Sequence, residues 1–292
     1  MDIAIEESEQ LEEDIKVSWF EVFRQKWYAI FGALFLLLII FTAIFAPHLT
    51  HYDPQRLDIS TRLQGPSTSH FFGTDDFGRD IFSRVIYGTR ISILVGGAVM
   101  FFTSLAGVVL GILAGYYKFL DNVLMRIMDG FMALPGMVLA IALMAVLGPS
   151  VSNVIIAISF IFMPRTARLI RGVVLVGVEM AYVQAARALG ARDLRIVIKH
   201  ILPNCIPSLI VQSTFIFAYS ILTEASLSFL GCGVSPEIPS WGNIINSGRL
   251  FMREAFWMTL FPGLAIVLTC LALNLLGDGL RDALDPRMRE VL

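Results

Sequence analysis

Six apolar runs, each about as long as a lipid bilayer is thick, limit this chain to a membrane-embedded helical fold. A helix needs about 20 consecutive apolar residues to cross the hydrocarbon core, and it satisfies its own backbone hydrogen bonds there. The composition agrees, since 56% of the 292 residues are hydrophobic and 16% are charged, against about 25% charged residues in soluble domains. We therefore predict an all-α integral membrane protein with six transmembrane helices.

The six predicted spans leave five connections, of which three are long and polar, two on one side of the membrane and one on the other. The spans cover residues 29–46, 91–117, 127–147, 151–171, 205–230 and 256–277. In the second span Gly107, Gly111 and Gly115 recur every four residues, which predicts close packing against another helix. The third span is interrupted by Pro135 and Gly136. We expect long external segments after the first span and after the fifth.

The domain organisation follows this order, without an inserted soluble domain. We predict a cytosolic tail with an interfacial helix (1–28), the first span with its external segment (29–90), a core of five spans (91–280) and a cytosolic C-terminal tail (281–292). With both termini in the cytosol, 15 of the 22 Lys and Arg residues lie on the inner side, as the positive-inside rule requires. The net charge of −2 gives no reason to expect nucleic acid as a partner.

A polar, basic segment, residues 180–204, lies between the fourth and fifth spans, and we call it the elbow. Residues 184–188 are rich in alanine and favour a helix, which Gly190 can end in the left-handed conformation. Asp193 is predicted to cap a second short helix with its side chain, and Pro203 to break that helix before the fifth span. The small side chains of the first helix would let the groove of a partner protein close over it.

The elbow resembles the EAA loop of ABC-importer permeases, in which Glu-Ala-Ala precedes a glycine and, further on, Ile-x-Leu-Pro. The matching positions are Ala185, Ala186, Gly190, Leu202 and Pro203. Gln184 replaces the family's glutamate, which removes one carboxylate, and His200 replaces its usual isoleucine. The surrounding residues resemble the branch that imports dipeptides, oligopeptides and nickel.

Two further stretches resemble that branch, and the chain is identified as a member of it, as the C-type permease of a pair. They are residues 72–84 and 274–287, with Gly73, Asp75, Asp76, Gly78, Arg79 and Asp80 in the first and Asp278, Arg281, Asp282, Asp285 and Pro286 in the second. The resemblance implies the type I ABC importer permease fold and a membrane-spanning, non-catalytic subunit of an ATP-driven importer. The solute would be a di- or oligopeptide, or alternatively a nickel chelate or glutathione.

The resemblance also implies partners, because the chain lacks the Gly-x-x-x-x-Gly-Lys-Ser/Thr pattern of a phosphate loop. ATP and Mg²⁺ would bind two cytosolic ATPase subunits, and this chain would hold no cofactor. A second homologous permease and an external substrate-binding protein would complete the assembly. Its location would be a bacterial or archaeal inner membrane. The implied docking site for the ATPase is the elbow, with Gln184, Ala185, Ala186, Arg187, Ala188, Leu189, Gly190, Ala191, Arg192, Asp193, Arg195, Leu202 and Pro203.

Charged residues near the spans allow two interpretations. Arg165, Arg168 and Arg171 either reach the lipid headgroups or line an inner vestibule, since arginine is costly inside a bilayer. Asp129 is predicted to pair with Arg126, one turn away.

The acidic and histidine residues of the first external segment give little sign of a metal site. Asp75, Asp76 and Asp80 lack the spacing of a calcium loop, so we predict no metal. By resemblance, residues 79–89 form a re-entrant or membrane-surface helix that packs on the external face.

Two other classes of protein stay open at this point. An ion-coupled secondary carrier is disfavoured because the spans lack ionisable residues at the membrane midplane. An intramembrane enzyme is disfavoured because no catalytic combination of residues is evident.

Overall fold

The computed structural model describes residues 26–284. The predicted interfacial helix of the N-terminal tail, together with Asp285 and Pro286, lies outside these residues. The regular structure of the described part is helical, apart from one isolated β-bridge between Thr74 and Asp80. In chain order the helices are α1 (Trp27–Ile44), α2 (Ala46–Leu49), α3 (Ile81–Tyr116), α4 (Lys118–Met132), α5 (Gly136–Leu147), α6 (Val151–Val178), α7 (Ala181–Ala188), α8 (Asp193–Ile196), α9 (Leu202–Phe229), α10 (Trp241–Gly248) and α11 (Trp257–Leu284).

Five helical segments are long and apolar enough to cross a membrane: α1, α3, α6, the continuous run Asp193–Phe229, and α11. The third predicted span is instead two helices, because α4 and α5 meet at an angle of 89°. Pro135 lies at the junction, where its missing amide and rigid ring prevent a straight helix. The predicted number of six is reached if this bent pair counts as one broken span.

The prediction of a separate surface helix over residues 79–89 is wrong. These residues belong largely to α3, which runs without interruption for 36 residues from Ile81. The carboxylate of Asp80 caps the helix by accepting a hydrogen bond of 2.8 Å from the amide of Ser83, and α3 contains no proline that would end it. The charge of Arg90 is accommodated because its guanidinium donates hydrogen bonds to the carbonyls of Ala43 and Ile44 at the end of α1.

The glycine row of α3 packs against α6, as its spacing predicts. A Cβ atom at Gly111 would lie 2.7 Å from the carbonyl oxygen of Ala167, and one at Gly115 would lie 2.7 Å from the Cβ atom of Val174. Neither distance is compatible with a side chain, so the two backbones approach each other more closely than larger residues would permit. The two helices therefore form one rigid pair.

The bundle has two distinct ends. At one end, which we call the elbow end, Tyr116 at the end of α3 donates a hydrogen bond of 2.6 Å to Asp193 of the elbow. The start of α1 and the last turn of α11 meet at Asp282, which accepts a hydrogen bond of 2.8 Å from Tyr28. At the other end, the loop end, the two long segments between spans pack together around Trp241 and Trp257.

Candidate functional site

The first half of the elbow has the predicted conformation. Helix α7 ends at Ala188, and Gly190, which follows the cap residue Leu189, has a φ angle of +78°. The amide of Ala191 donates to the carbonyl of Ala186 at 3.1 Å and that of Gly190 to the carbonyl of Arg187 at 3.0 Å. This pattern is typical of a helix that ends in a left-handed glycine.

The predicted roles of Asp193 and Pro203 are wrong. Arg192 occupies the capping position of α8, and its side chain forms no cap. Asp193 is instead the first residue of the helix, and its carboxylate accepts a hydrogen bond from Tyr116. Pro203 does not break the chain either, since α8 continues through a π-helical turn (Val197–Ile201) into α9. Pro203 follows the π-helical turn at the start of α9, and this wider turn lets the helix continue past the proline.

A small apolar cluster attaches the elbow to the membrane helices. Val183, Ile196 and Ile201 are buried together with Ile170 and Val174 of α6 and with Cys205 of α9. The side-chain amide of Gln184 also donates a hydrogen bond of 2.8 Å to the carbonyl of Val178 at the end of α6. A force applied to the elbow would therefore act directly on α6 and α9.

The opposite face of the elbow carries apolar side chains that nothing in residues 26–284 covers. Leu189 is 88% exposed and Leu194 is 70% exposed. Ala185 and Ala188 are exposed beside them, whereas Ala186 and Ala191 are half-buried. An apolar centre with a charged rim is typical of a surface that binds another protein.

Three arginines of the elbow, Arg187, Arg192 and Arg195, are also exposed, and we call them the arginine rim. A hydrogen bond from Arg187 to the Tyr116 hydroxyl raises the pKa of its guanidinium above the usual value. Sequence analysis had not singled out Leu194 or Tyr116. The sequence does contain a signal for Leu194, because a leucine in an otherwise polar segment is expected to contact an apolar surface.

The three arginines of α6 have different surroundings. Arg168 donates to Asp129 at 2.5 Å, and Arg171 forms a two-pronged pair with Asp121 of α4. The predicted pair of Asp129 with Arg126 is therefore wrong, because Asp121 and Asp129 lie on the face of α4 that meets α6. Only Arg165 lines an inner cavity.

That cavity has a volume of about 710 Å³ and lies between α6, α9 and α11 at the elbow end. Its polar lining consists of Arg165, Asn204, Ser208, Gln212 and Arg281. Within residues 26–284, neither of its two arginines forms an ion pair. The cavity is thus a positively charged recess, which we call the arginine cavity.

The acidic stretch at the loop end, residues 75–80, makes contacts within the chain. Asp75 accepts hydrogen bonds from the amides of Phe77 and Arg79 at 2.9 Å and from the Arg79 side chain at 2.6 Å. Asp80 pairs with His70 at 2.9 Å. In the described part of the chain, no three acidic, histidine or cysteine side chains are placed to hold a metal ion.

Gly73 and Gly78 in the same stretch have φ angles of +76° and +73°, which non-glycine residues rarely adopt. Asp76 is the exception to the well-paired side chains here, because one of its carboxylate oxygens is buried without a hydrogen-bond partner. Burial and the neighbouring charge of Asp75 raise the pKa of Asp76.

Two family models match the sequence. Residues 107–290 match the model described as "Binding-protein-dependent transport system inner membrane component". Residues 18–66 match the "N-terminal TM domain of oligopeptide transport permease C". The first match contains the elbow, the arginine cavity and the packed glycines of α3.

Three relatives with assigned names cover most of the chain. A putative peptide transport system permease protein of Brucella suis is 48% identical over 88% of this chain and 87% of its own length. The dipeptide transport system permease protein DppC of Alkalihalophilus pseudofirmus is 45% identical over 93% and 91%. The glutathione transport system permease protein GsiD of Pectobacterium atrosepticum is 43% identical over 96% and 94%.

The fold also matches a solved structure. A chain from the inward-facing MetNI methionine ABC transporter superposes with a TM-score of 0.60 at 18% identity. The superposition covers 70% of this chain and 98% of the other, which establishes the shared type I importer permease fold.

Proposed function

The chain belongs to the family of binding-protein-dependent transport system inner membrane components, the permeases of ABC importers, and from this premise we propose how it works. It forms one half of a solute path and receives the force of ATP hydrolysis through the elbow. ATP and Mg²⁺ bind partner chains, and this subunit contributes neither a cofactor nor a catalytic group.

The exposed apolar face of the elbow is the observation that carries this proposal. Burying a leucine side chain contributes about 1.5–3 kcal/mol, and Leu189 and Leu194 are both available. The arginine rim adds charge that orients a partner and speeds its association. A cytosolic ATPase with an apolar groove and an acidic edge fits this surface.

The connections of the elbow suggest how a docked ATPase moves the bundle. Val183 and Ile196 pack on α6 and α9, so a displaced elbow tilts both helices. Because the glycines of α3 pack on α6, α3 moves with it. Pro164 inside α6 and the π-helical turn before α9 are places where the tilt can be absorbed.

The arrangement of the two ends supports the remaining partners and the orientation. The start of α1 and the end of α11 lie at the elbow end, so both termini share the cytosol with the ATPases. The loop end then faces a substrate-binding protein outside. A second, homologous permease completes the path.

The solute we propose is a di- or oligopeptide. This is supported by relatives named as peptide and dipeptide permeases. Glutathione is the second candidate, because the relative of that name matches over 96% of this chain. Uptake of a labelled dipeptide, in competition with an oligopeptide, glutathione and a nickel chelate, tests the choice in cells that carry the complete transporter. Competition by the nickel chelate alone would contradict it.

A matched pair of substitutions tests the docking surface. Leu189→Asp places a charge on the elbow, and Leu250→Asp places the same charge at the loop end, where Leu250 is 78% exposed. We expect the first variant to lose its ATPase during purification together with ATP-dependent uptake, and the second to retain its ATPase. A Leu189→Asp variant that keeps both its ATPase and its uptake would contradict the proposal.

A further inference from the structure

The arginine cavity contains positive charge that the described residues do not neutralise. Arg165 of α6 and Arg281 of α11 line it, together with the amide of Gln212 and the hydroxyl of Ser208. The rest of the wall is apolar, including Leu169 and Phe215. The fitting ligand is therefore a chain that carries carboxylates and some apolar side chains.

The N-terminal segment of the chain itself has this composition. Residues 2–14 contain seven acidic residues, no basic residue and three large aliphatic ones (Ile3, Ile5 and Leu11). Neither family model reaches this stretch, since their matches begin at residues 18 and 107. The fold of the permease family therefore does not account for its acidity.

The place where the described chain begins lies beside the cavity. Lys26 is 3.8 Å from Asp282, and Asp282 follows Arg281 directly in the last turn of α11. The eleven residues between Asp14 and Lys26 let the two ends lie up to about 40 Å apart when the chain is extended. Tethered groups at such range reach effective concentrations on the order of millimolar, so weak charge pairing suffices to populate a contact.

We propose that residues 2–14 bind in the arginine cavity of their own chain, with carboxylates against Arg165 and Arg281. The contact joins α6, α9 and α11 at the end where the elbow must move. It therefore acts as a built-in brake that holds the bundle in one arrangement until the segment leaves. The contact itself is independent of the transport role, whereas its braking effect rests on the proposed function.

Photo-crosslinking tests the contact in the complete transporter, reconstituted in zwitterionic and in anionic lipid. A benzophenone amino acid replaces Gln212 in the cavity, and the matched control places it at Leu250 at the loop end. We expect Gln212 to capture residues 1–16, which trypsin releases after Lys16, and Leu250 not to do so. Capture of lipid alone in both membranes, or of another subunit alone, would overturn the contact.

Variants that remove a positive charge distinguish the contribution of the two cavity arginines to the crosslink from a general effect of losing charge. Arg165→Gln combined with Arg281→Gln should lower the yield of the tail adduct at least about fivefold, because two exposed ion pairs are lost. Arg126→Gln, an exposed arginine of α4 outside the cavity, should leave the yield unchanged. An equal yield in the double variant would overturn the proposal.

Deletion of residues 2–14 tests the brake. We expect ATP-dependent uptake to rise about twofold or more, and the double arginine variant to show the same rise. Unchanged uptake with an intact crosslink in the parent chain would overturn the brake. Absence of ATP-dependent uptake in the parent chain itself would instead count against the proposed function.

Discussion

The two ends of the bundle differ in whether the chain itself provides the contacts for their side chains. At the loop end, polar groups are buried and paired within the chain, including the fully enclosed Thr74, Asp75 and Arg84. At the elbow end, Leu189 and Leu194 extend into solvent. The chain thus supplies the contacts of these groups itself at the loop end, whereas within residues 26–284 the two leucines at the elbow end stay uncovered.

The pairing at the loop end explains how a long segment with little helix remains ordered. The indole of Trp257 donates to the carbonyl of Thr74 at 3.2 Å, and that of Trp241 to the carbonyl of Val85 at 3.0 Å. Each contact ties one polar segment to a helix of another part of the chain. Buried backbone groups without such partners would be costly.

Removal of Asp75 should produce the largest change and so tests the loop end most severely. Asp75→Ala leaves the amides of the turn without their acceptor and removes the carboxylate that lies 3.8 Å from the guanidinium of Arg84, which is 1% exposed. We expect a loss of about 3–5 kcal/mol in the free energy of unfolding, visible as a large drop in the thermal midpoint of the purified subunit.

The matched control is Asp193→Ala at the elbow, which removes an exposed carboxylate with one hydrogen bond from Tyr116. We expect it to cost less than about 1 kcal/mol. Equal losses at the two positions would break the comparison between the ends.

The left-handed glycines give a second matched pair. Gly78 and Gly190 have φ angles of +73° and +78°, so alanine is strained at both by about 1–2 kcal/mol. At Gly78 the new Cβ atom would also collide with the backbone of Asp58, whereas at Gly190 it meets no atom within 4 Å. Thermal melting should therefore show a clearly larger loss for Gly78→Ala. A larger loss for Gly190→Ala would mean that the elbow, too, is tightly packed.

The pH dependence of stability at Asp76 extends the comparison between the two ends, and we expect its effect on the melting temperature to be the smallest. Its pKa is raised by burial, so its charged form is disfavoured in the folded state. The fold consequently loses stability as pH rises through that pKa. Asp76→Asn should melt slightly higher than the parent at pH 7, and the gain should vanish in acid, where the carboxyl is protonated. A gain that grows towards acid pH would show that the charged form is stabilised.

Much of the fold could be predicted because lipid imposes simple rules on length and composition. The bounds of α1 and α9 follow closely from their apolar runs, whereas α6 continues to Val178, past its predicted end at residue 171. The packing of α3 on α6 follows from glycine spacing. The break at Pro135 was visible, but the 89° angle between α4 and α5 was not, because it is set by contacts such as Arg171 with Asp121.

The errors at the elbow also have a physical cause. Asp193 has the right chemistry for a cap, but Tyr116, which is 77 residues away in sequence, takes its carboxylate. Pro203 has the chemistry of a helix breaker, but the π-helical turn before it lets the chain continue. Local rules thus failed where a distant partner or a wider helical turn decided the outcome.

The accessibility of a single cysteine at the tip of the elbow tests the central claim most directly. Leu189→Cys, in a chain whose Cys205, Cys232 and Cys270 are replaced by serine or alanine, is treated with a membrane-impermeant maleimide in vesicles of known orientation. The account predicts labelling only from the cytosolic side, and strong protection when the ATPase subunits are bound. Labelling from the external side, or equal labelling with and without the ATPases, would contradict it.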